Sequence, residues 1–309
     1  MSGHTHSHTH PPTLDHRRRL LVVVTLTALI VVVQLVGAIV TGSLALLTDT
    51  VHALTDVSGL VVALIAATLM MRPADDRRTW GFRRIEVIAA LGQAALLLAV
   101  GGYAVVEGIS RLVDPPEVPA TELLLFGILG LAANLVALVV LHGGRGANLN
   151  MRAAFLEVLN DALGSLGVIV AAIVIAITGF QRADALAGLL IAALIVPRAL
   201  SIIRDATRVL MEFTPEGLDL EEVRGHLTEL EHVVGVHDLH ASTVATGLPV
   251  LTAHVVVADS CFRDGHAQEI LRSVRDCAER HFDLSHATFQ LEGPGFHTDD
   301  LDCPQELPR

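Results

Sequence analysis

The chain contains no lysine, so its 21 lysine-plus-arginine positions are all arginine, and any reading of sidedness from basic residues rests on arginine alone. Cysteine is almost as scarce. Cys261, Cys277 and Cys303 are an odd number with no framework spacing, which excludes a secreted disulfide scaffold and suits a reducing compartment. The first 20 residues are polar and lack an apolar core segment, so no cleavable signal peptide is expected. No Walker A phosphate-binding pattern is present, which argues against a nucleotide-driven pump, and no HExxH, which argues against a zinc hydrolase. The formal net charge of -12 lies mostly in the C-terminal third; it disfavours nucleic acid as a partner and suits small cations.

What is abundant is apolar surface. Hydrophobic residues make up 52% of the chain, above the usual range for a soluble domain, and they are concentrated in long runs before residue 205. A bilayer core about 30 Å thick needs about 20 helical residues to cross. Six segments meet that requirement: 20–41, 44–70, 85–112, 123–141, 153–177 and 185–203. They are broken at Gly42 and Ser43, at the 73–84 loop, at Pro115 and Pro116, at Gly143 and Gly144, and across 178–184. Arg17, Arg18 and Arg19 precede the first span, and Arg72, Arg77, Arg78, Arg83 and Arg84 fill the second connection. Arg145 and Arg152 sit in the fourth connection, and Arg204 and Arg208 follow the sixth span. The opposite connections hold only Arg111 and Arg182, at their edges. The positive-inside rule then places both termini in the cytosol of a multi-pass protein of the cell (plasma or inner) membrane.

Beyond Arg208 the pattern becomes that of a small soluble domain. Amphipathic helices are expected over 218–230 and 267–281, and strands over 236–244, 250–257 and 287–292. The fold class is therefore a membrane all-α six-helix transmembrane bundle followed by a small cytosolic α+β domain, ferredoxin-like or metallochaperone-like. Its expected divisions are a disordered His-rich cytosolic tail over 1–16, the transmembrane domain over 17–207, a regulatory and dimerising domain over 208–293, and a flexible acidic tail over 294–309. In the first of these, His4, His6, His8 and His10 alternate with Thr and Ser, a spacing that fits either a metal-collecting tail or an engineered tag.

Ionisable residues cluster in two spans. His52 and Asp56 lie four residues apart in the second, and Glu157 and Asp161 four apart in the fifth, so each pair shares a helix face. Each such group costs about 2.5–3.5 kcal/mol to insert. With no intramembrane Lys or Arg expected to pair them, a divalent cation is the compensating charge. One imidazole and three carboxyls suit zinc, which takes nitrogen and oxygen ligands in a tetrahedron. Three carboxylates against a doubly charged ion leave one negative charge over. So oxygen-rich a set also makes cobalt, cadmium or manganese harder to exclude. Asp49, one turn before His52, is a supporting acceptor or proton relay, a role also open to Asn160, which with Gln34 fits a hydrogen-bonding partner as well.

The runs GSLALLTDTVHALTD and LNMRAAFLEVLNDALGSLGV resemble the second- and fifth-helix signatures of the cation diffusion facilitator family, in its zinc, cobalt and cadmium efflux branch. WGFRRIE, GVHDLH, TAHVVV and ATFQLE are similar to other parts of it, so the resemblance runs from about Gln34 to Glu292. It implies a proton-coupled metal exporter, commonly a homodimer, with His52, Asp56, Glu157 and Asp161 as the transport site. It also implies a regulatory metal site in the C-terminal domain, for which His237, His240, His254, His286 and Glu292 are the candidates. Three positions depart from the family pattern: Glu157 stands where many zinc-selective relatives have His, Ser242 stands in place of an aromatic, and the 73–84 loop offers Asp75 and Asp76 but no His, so no metal is expected there. The resulting expectation is a secondary antiporter rather than an enzyme, with zinc as substrate and regulatory ligand and no cofactor. The rival readings are a membrane metal sensor that does not transport and a membrane-embedded metalloenzyme.

Overall fold

The computed structural model describes residues 14–142, 149–282, 284 and 286–296, and these fall into two compact units. The expected metal-collecting histidines His4, His6, His8 and His10, and Cys303, lie outside the described residues.

The first unit holds the described residues up to 66 and those between 89 and 204, and is built from long helices: α1 (Leu14–Thr41), α2 (Leu44–Met70), α3 (Ile85–Val113), α4 (Ala120–His142), α5 (Leu149–Thr178) and α6 (Arg182–Leu210). The six helices overlap the six expected spans, and most run several residues beyond them. Among the described residues α3, α4, the Phe155–Thr178 part of α5 and α6 are long and apolar enough to cross a membrane, and Thr25–Thr41 is a shorter apolar stretch. α2 carries Asp49, His52 and Asp56.

The surface of this unit inverts the rule for soluble proteins. Val139 and Ile177 are 75% and 78% exposed, and Ile39, Val106 and Leu190 also face outward, whereas Ala45, Ala172, Ala192 and Ala199 are wholly buried. Lipid tails are as apolar as Leu, so small residues at the helix contacts, by letting backbones approach, do the packing that burial of large side chains does in water.

The start of α2 is fixed by a residue from α6. The Asp184 carboxylate accepts hydrogen bonds from Leu44 N at 2.7 Å and Ala45 N at 3.3 Å, and from the Ser43 hydroxyl. These amides open a helix and have no partner within it. Arg111 donates to Gly42 O at 2.7 Å and approaches Asp184 at 3.9 Å, which balances the buried carboxylate. Further along α6, Pro197 interrupts the ladder, because proline has no N–H to give to the Ala193 carbonyl four residues earlier.

The second unit holds residues 67–88 and the described residues from 205 onward. It contains α7 (Leu220–Thr228), β1 (Val233–Ala245), β2 (Leu248–Val257), α8 (Ser260–Arg263), α9 (Ala267–Phe282) and β3 (His286–Glu292). β1 and β2 form an antiparallel hairpin turning at Gly247, whose φ of 72° suits glycine. β3 then pairs parallel to β2 after the α9 crossover, giving the sheet order β1-β2-β3. The order α–β–β–α–β is the ferredoxin-like order without its first strand. Leu251, Ala253, Val255 and Val257 point alternately from β2 into a core closed by Val223 and Leu227 of α7 and Ile270 and Val274 of α9. His254 and Val256 therefore face the other side of the sheet. The connection between α2 and α3 packs within this unit: Arg84 pairs with Glu212 at 2.7 Å, and the Trp80 ring meets His286 edge-on at 4.7 Å.

Candidate metal sites

His52 and Asp56 sit one above the other on α2, with His52 Nε2 3.6 Å from Asp56 Oδ2. Asp161 reaches them from α5, so that one ligand atom from each of the three lies within 4.8 Å of the other two. His52 is eight residues into α2 and Asp161 twelve into α5, depths of about 12 Å and about 18 Å along the two helix axes. Successive crossings run in opposite senses, so these depths are measured from opposite ends and meet near the middle. His52 and Asp161 are buried, and His52 Nδ1, Asp56 Oδ2 and Asp161 Oδ1 have no hydrogen-bond partner among the described residues. Buried polar atoms in folded proteins are otherwise almost always paired, because each unpaired one costs about 1–3 kcal/mol. Three residues with such atoms, brought together from two helices, are a candidate cation site.

Glu157 is placed differently from expectation. It lies against Asp56, but one of its carboxylate oxygens accepts a hydrogen bond from Arg198 of α6 at 2.9 Å and it stands outside the three-atom group. The expectation that no arginine pairs these carboxyls is therefore corrected: Arg198 lies inside the sixth span and does so. The signal was legible, since a charge within an apolar run is itself a marker of function. It is missed when arginines are counted only by loop.

Behind the site Asp49 is buried, accepting from Gln34 of α1 at 3.2 Å and from Ser165 of α5 at 3.3 Å; Asn134 of α4 donates to Ser165 at 3.4 Å. A Cβ on Gly164 would collide with the Asp49 carboxylate, so the bare glycine lets α2 come this close to α5. Asn160 is exposed and joins neither group, which removes it as a supporting residue: it lies one position before Asp161, about 100° around the helix. Ser165 and Asn134 carry no sequence signal that would separate them from ordinary polar residues in a helix bundle.

In the second unit His237, His254 and Glu292 converge on the sheet face away from the core. His237 and His254 are register partners on β1 and β2. Glu292, buried at the end of β3, lies 3.2 Å from His237 Nε2 and 2.6 Å from His254 Nδ1. His240 and His286 do not join them. A shift of register between His237 and His240 turns the latter out, where it meets Asp238 at 2.9 Å, and His286 is taken up by Trp80. In the 73–84 loop Arg78 hydrogen-bonds Asp75 at 2.5 Å and holds that carboxyl below the usual carboxylate range.

A family model described as the cation efflux transmembrane domain matches residues 20–211, well over half of the chain, and one described as the cation efflux protein cytoplasmic domain matches 215–294. The chain belongs to the cation efflux family. Its similarity to individual cation efflux proteins extends over nearly the full length. It is 36% identical to the metal cation efflux system protein CzcD of Cupriavidus metallidurans, over 94% of this chain and 90% of that one. It is 38% identical to the cadmium, cobalt and zinc/H(+)-K(+) antiporter of Bacillus subtilis, over 84% of each. The zinc transporter ZitB of Escherichia coli is 36% identical over 96% of both chains. The family, the six helices and their outward apolar faces together make this a multi-pass membrane protein.

Proposed function

We propose that the protein is a secondary active transporter that exports a divalent transition metal from the cytosol in exchange for protons, with zinc the foremost substrate and cadmium, cobalt and manganese the others that the site admits. The reading rests on one observation above all: His52, Asp56 and Asp161 each bring a ligand atom within 4.8 Å of the other two between α2 and α5, and each also holds a buried polar atom with no hydrogen-bond partner among the described residues. The named substrates of the similar cation efflux proteins support it.

With the three carboxyls ionised and Arg198 charged, a divalent ion brings this region to neutrality, which a membrane interior favours strongly. Metal binding needs deprotonated ligands, so the same side chains that hold the ion accept protons when it leaves. Proton entry from outside then drives release, and no nucleotide is required. The arginine distribution puts both termini in the cytosol. The His237, His254 and Glu292 group is assigned to regulation by the transported metal, and its domain to joining two copies of the chain.

The test is metal uptake into everted membrane vesicles under an imposed pH gradient, run across zinc, cadmium, cobalt, manganese and iron. Uptake should depend on the gradient, and Asp161→Ala should reduce it by more than about 100-fold, beyond the 10–100-fold typical of losing a supporting group. Normal flux in Asp161→Ala would overturn the site, flux indifferent to the gradient would overturn proton exchange, and absence of flux would favour a sensor.

A further inference from the structure

A second metal-ligating cluster lies on the core side of the small domain, away from the sheet face just described. Cys277 and His281 are four residues apart on α9 and thus on one face, and His226 closes the last turn of α7. A ligand atom from each of the three lies within 4.8 Å of the other two. Cys277 is buried, His226 half-buried and His281 exposed, so the cluster runs from the core outward. The His226 and His281 rings have centroids 4.9 Å apart, and the Phe282 ring lies edge-on to His226 at 5.3 Å, which limits the rotation of that imidazole. His281 opens onto a cleft of about 460 Å³ whose lining also includes Glu222, one turn before His226 on α7.

We propose that His226, Cys277 and His281 form a zinc-type site that ties α7 to α9, with Glu222 or a water as fourth ligand. One thiolate and two imidazoles are the donors that zinc and cobalt take in tetrahedral sites, and they are poor donors for magnesium, calcium or manganese. Ordinary bond lengths in such a tetrahedron put neighbouring ligand atoms about 3.3–3.6 Å apart. The three atoms lie within 4.8 Å of one another, so the cluster has to tighten by no more than about 1.5 Å, which side-chain rotation supplies. The cleft gives the ion a way in from solvent. Neither of the other two groups contains sulfur, so this site is chemically distinguishable from both and does not depend on the transport reading.

The full-length protein, purified in detergent and titrated with cobalt, provides the test. Thiolate ligation should produce a sulfur-to-cobalt charge-transfer band that saturates at one ion per chain. Cys277→Ser should abolish it, while Cys261→Ser and Asp56→Ala should leave it intact. His281→Ala, on the exposed side, should weaken cobalt binding read at this band by about tenfold or more, with an unchanged elution profile. That variant keeps the test decisive if Cys277→Ser fails to fold. No band in the wild-type protein, a band that survives Cys277→Ser, or unchanged affinity in His281→Ala would each overturn the site.

Discussion

In the proposed mechanism Arg198 and the metal compete for the Glu157 carboxylate. Arg198 holds Glu157 at 2.9 Å, and among the described residues His52, Asp56 and Asp161 are the group gathered between α2 and α5. Replacing Arg198 with Gln frees Glu157 and leaves the region more negative, so KM for metal should fall while the maximal transport rate also falls, because release is harder; vesicle kinetics would read both. A rise in KM would mean that Arg198 helps to shape the site rather than to counter the ion. Glu157→His exchanges an oxygen donor for a nitrogen one, and should raise transport of zinc relative to manganese in the same vesicles. An unchanged metal profile would remove Glu157 from selectivity.

At the scale of elements, α2 depends on its neighbours. Asp184→Ala strips acceptors from Ser43, Leu44 and Ala45 at once, in a setting where water does not replace them. Hydrogen bonds to charged groups contribute about 1.5–3 kcal/mol. The variant should therefore unfold at a visibly lower Tm in detergent, and an unchanged Tm would mean that the cap is dispensable. The helices themselves were legible from apolar run length, and the paired His52/Asp56 and Glu157/Asp161 from their spacing. What periodicity could not convey was side-chain direction across helices. Arg198 reaches Glu157 from 41 residues away, and Asp184 caps a helix 140 residues earlier in the chain. In the small domain, alternation on β2 put His254 on the open face, but the irregular register that dismisses His240 has no marker in the sequence. Asp238, with φ of 50°, stands within that irregularity.

For the whole molecule, binding that favours the folded state should appear as thermal stabilisation. An ion that binds only the native chain adds about 4 kcal/mol at 1,000 times its Kd. Zinc should therefore raise the Tm of the full-length protein, and the double substitution His237→Ala with His254→Ala should diminish that rise. An equal rise in both proteins would remove the sheet-face group as a zinc site. One feature of α6 ties the element and molecular scales together. Asp184, near its beginning, anchors α2, and Arg198, past its midpoint, holds α5; Pro197 stands between them, next to Arg198. Where a rung of the helical ladder is missing, bending costs less than elsewhere along the rod. The later half can thus swing its guanidinium toward or away from Glu157 while the earlier half keeps its grip, which makes α6 a jointed strut between α2 and α5.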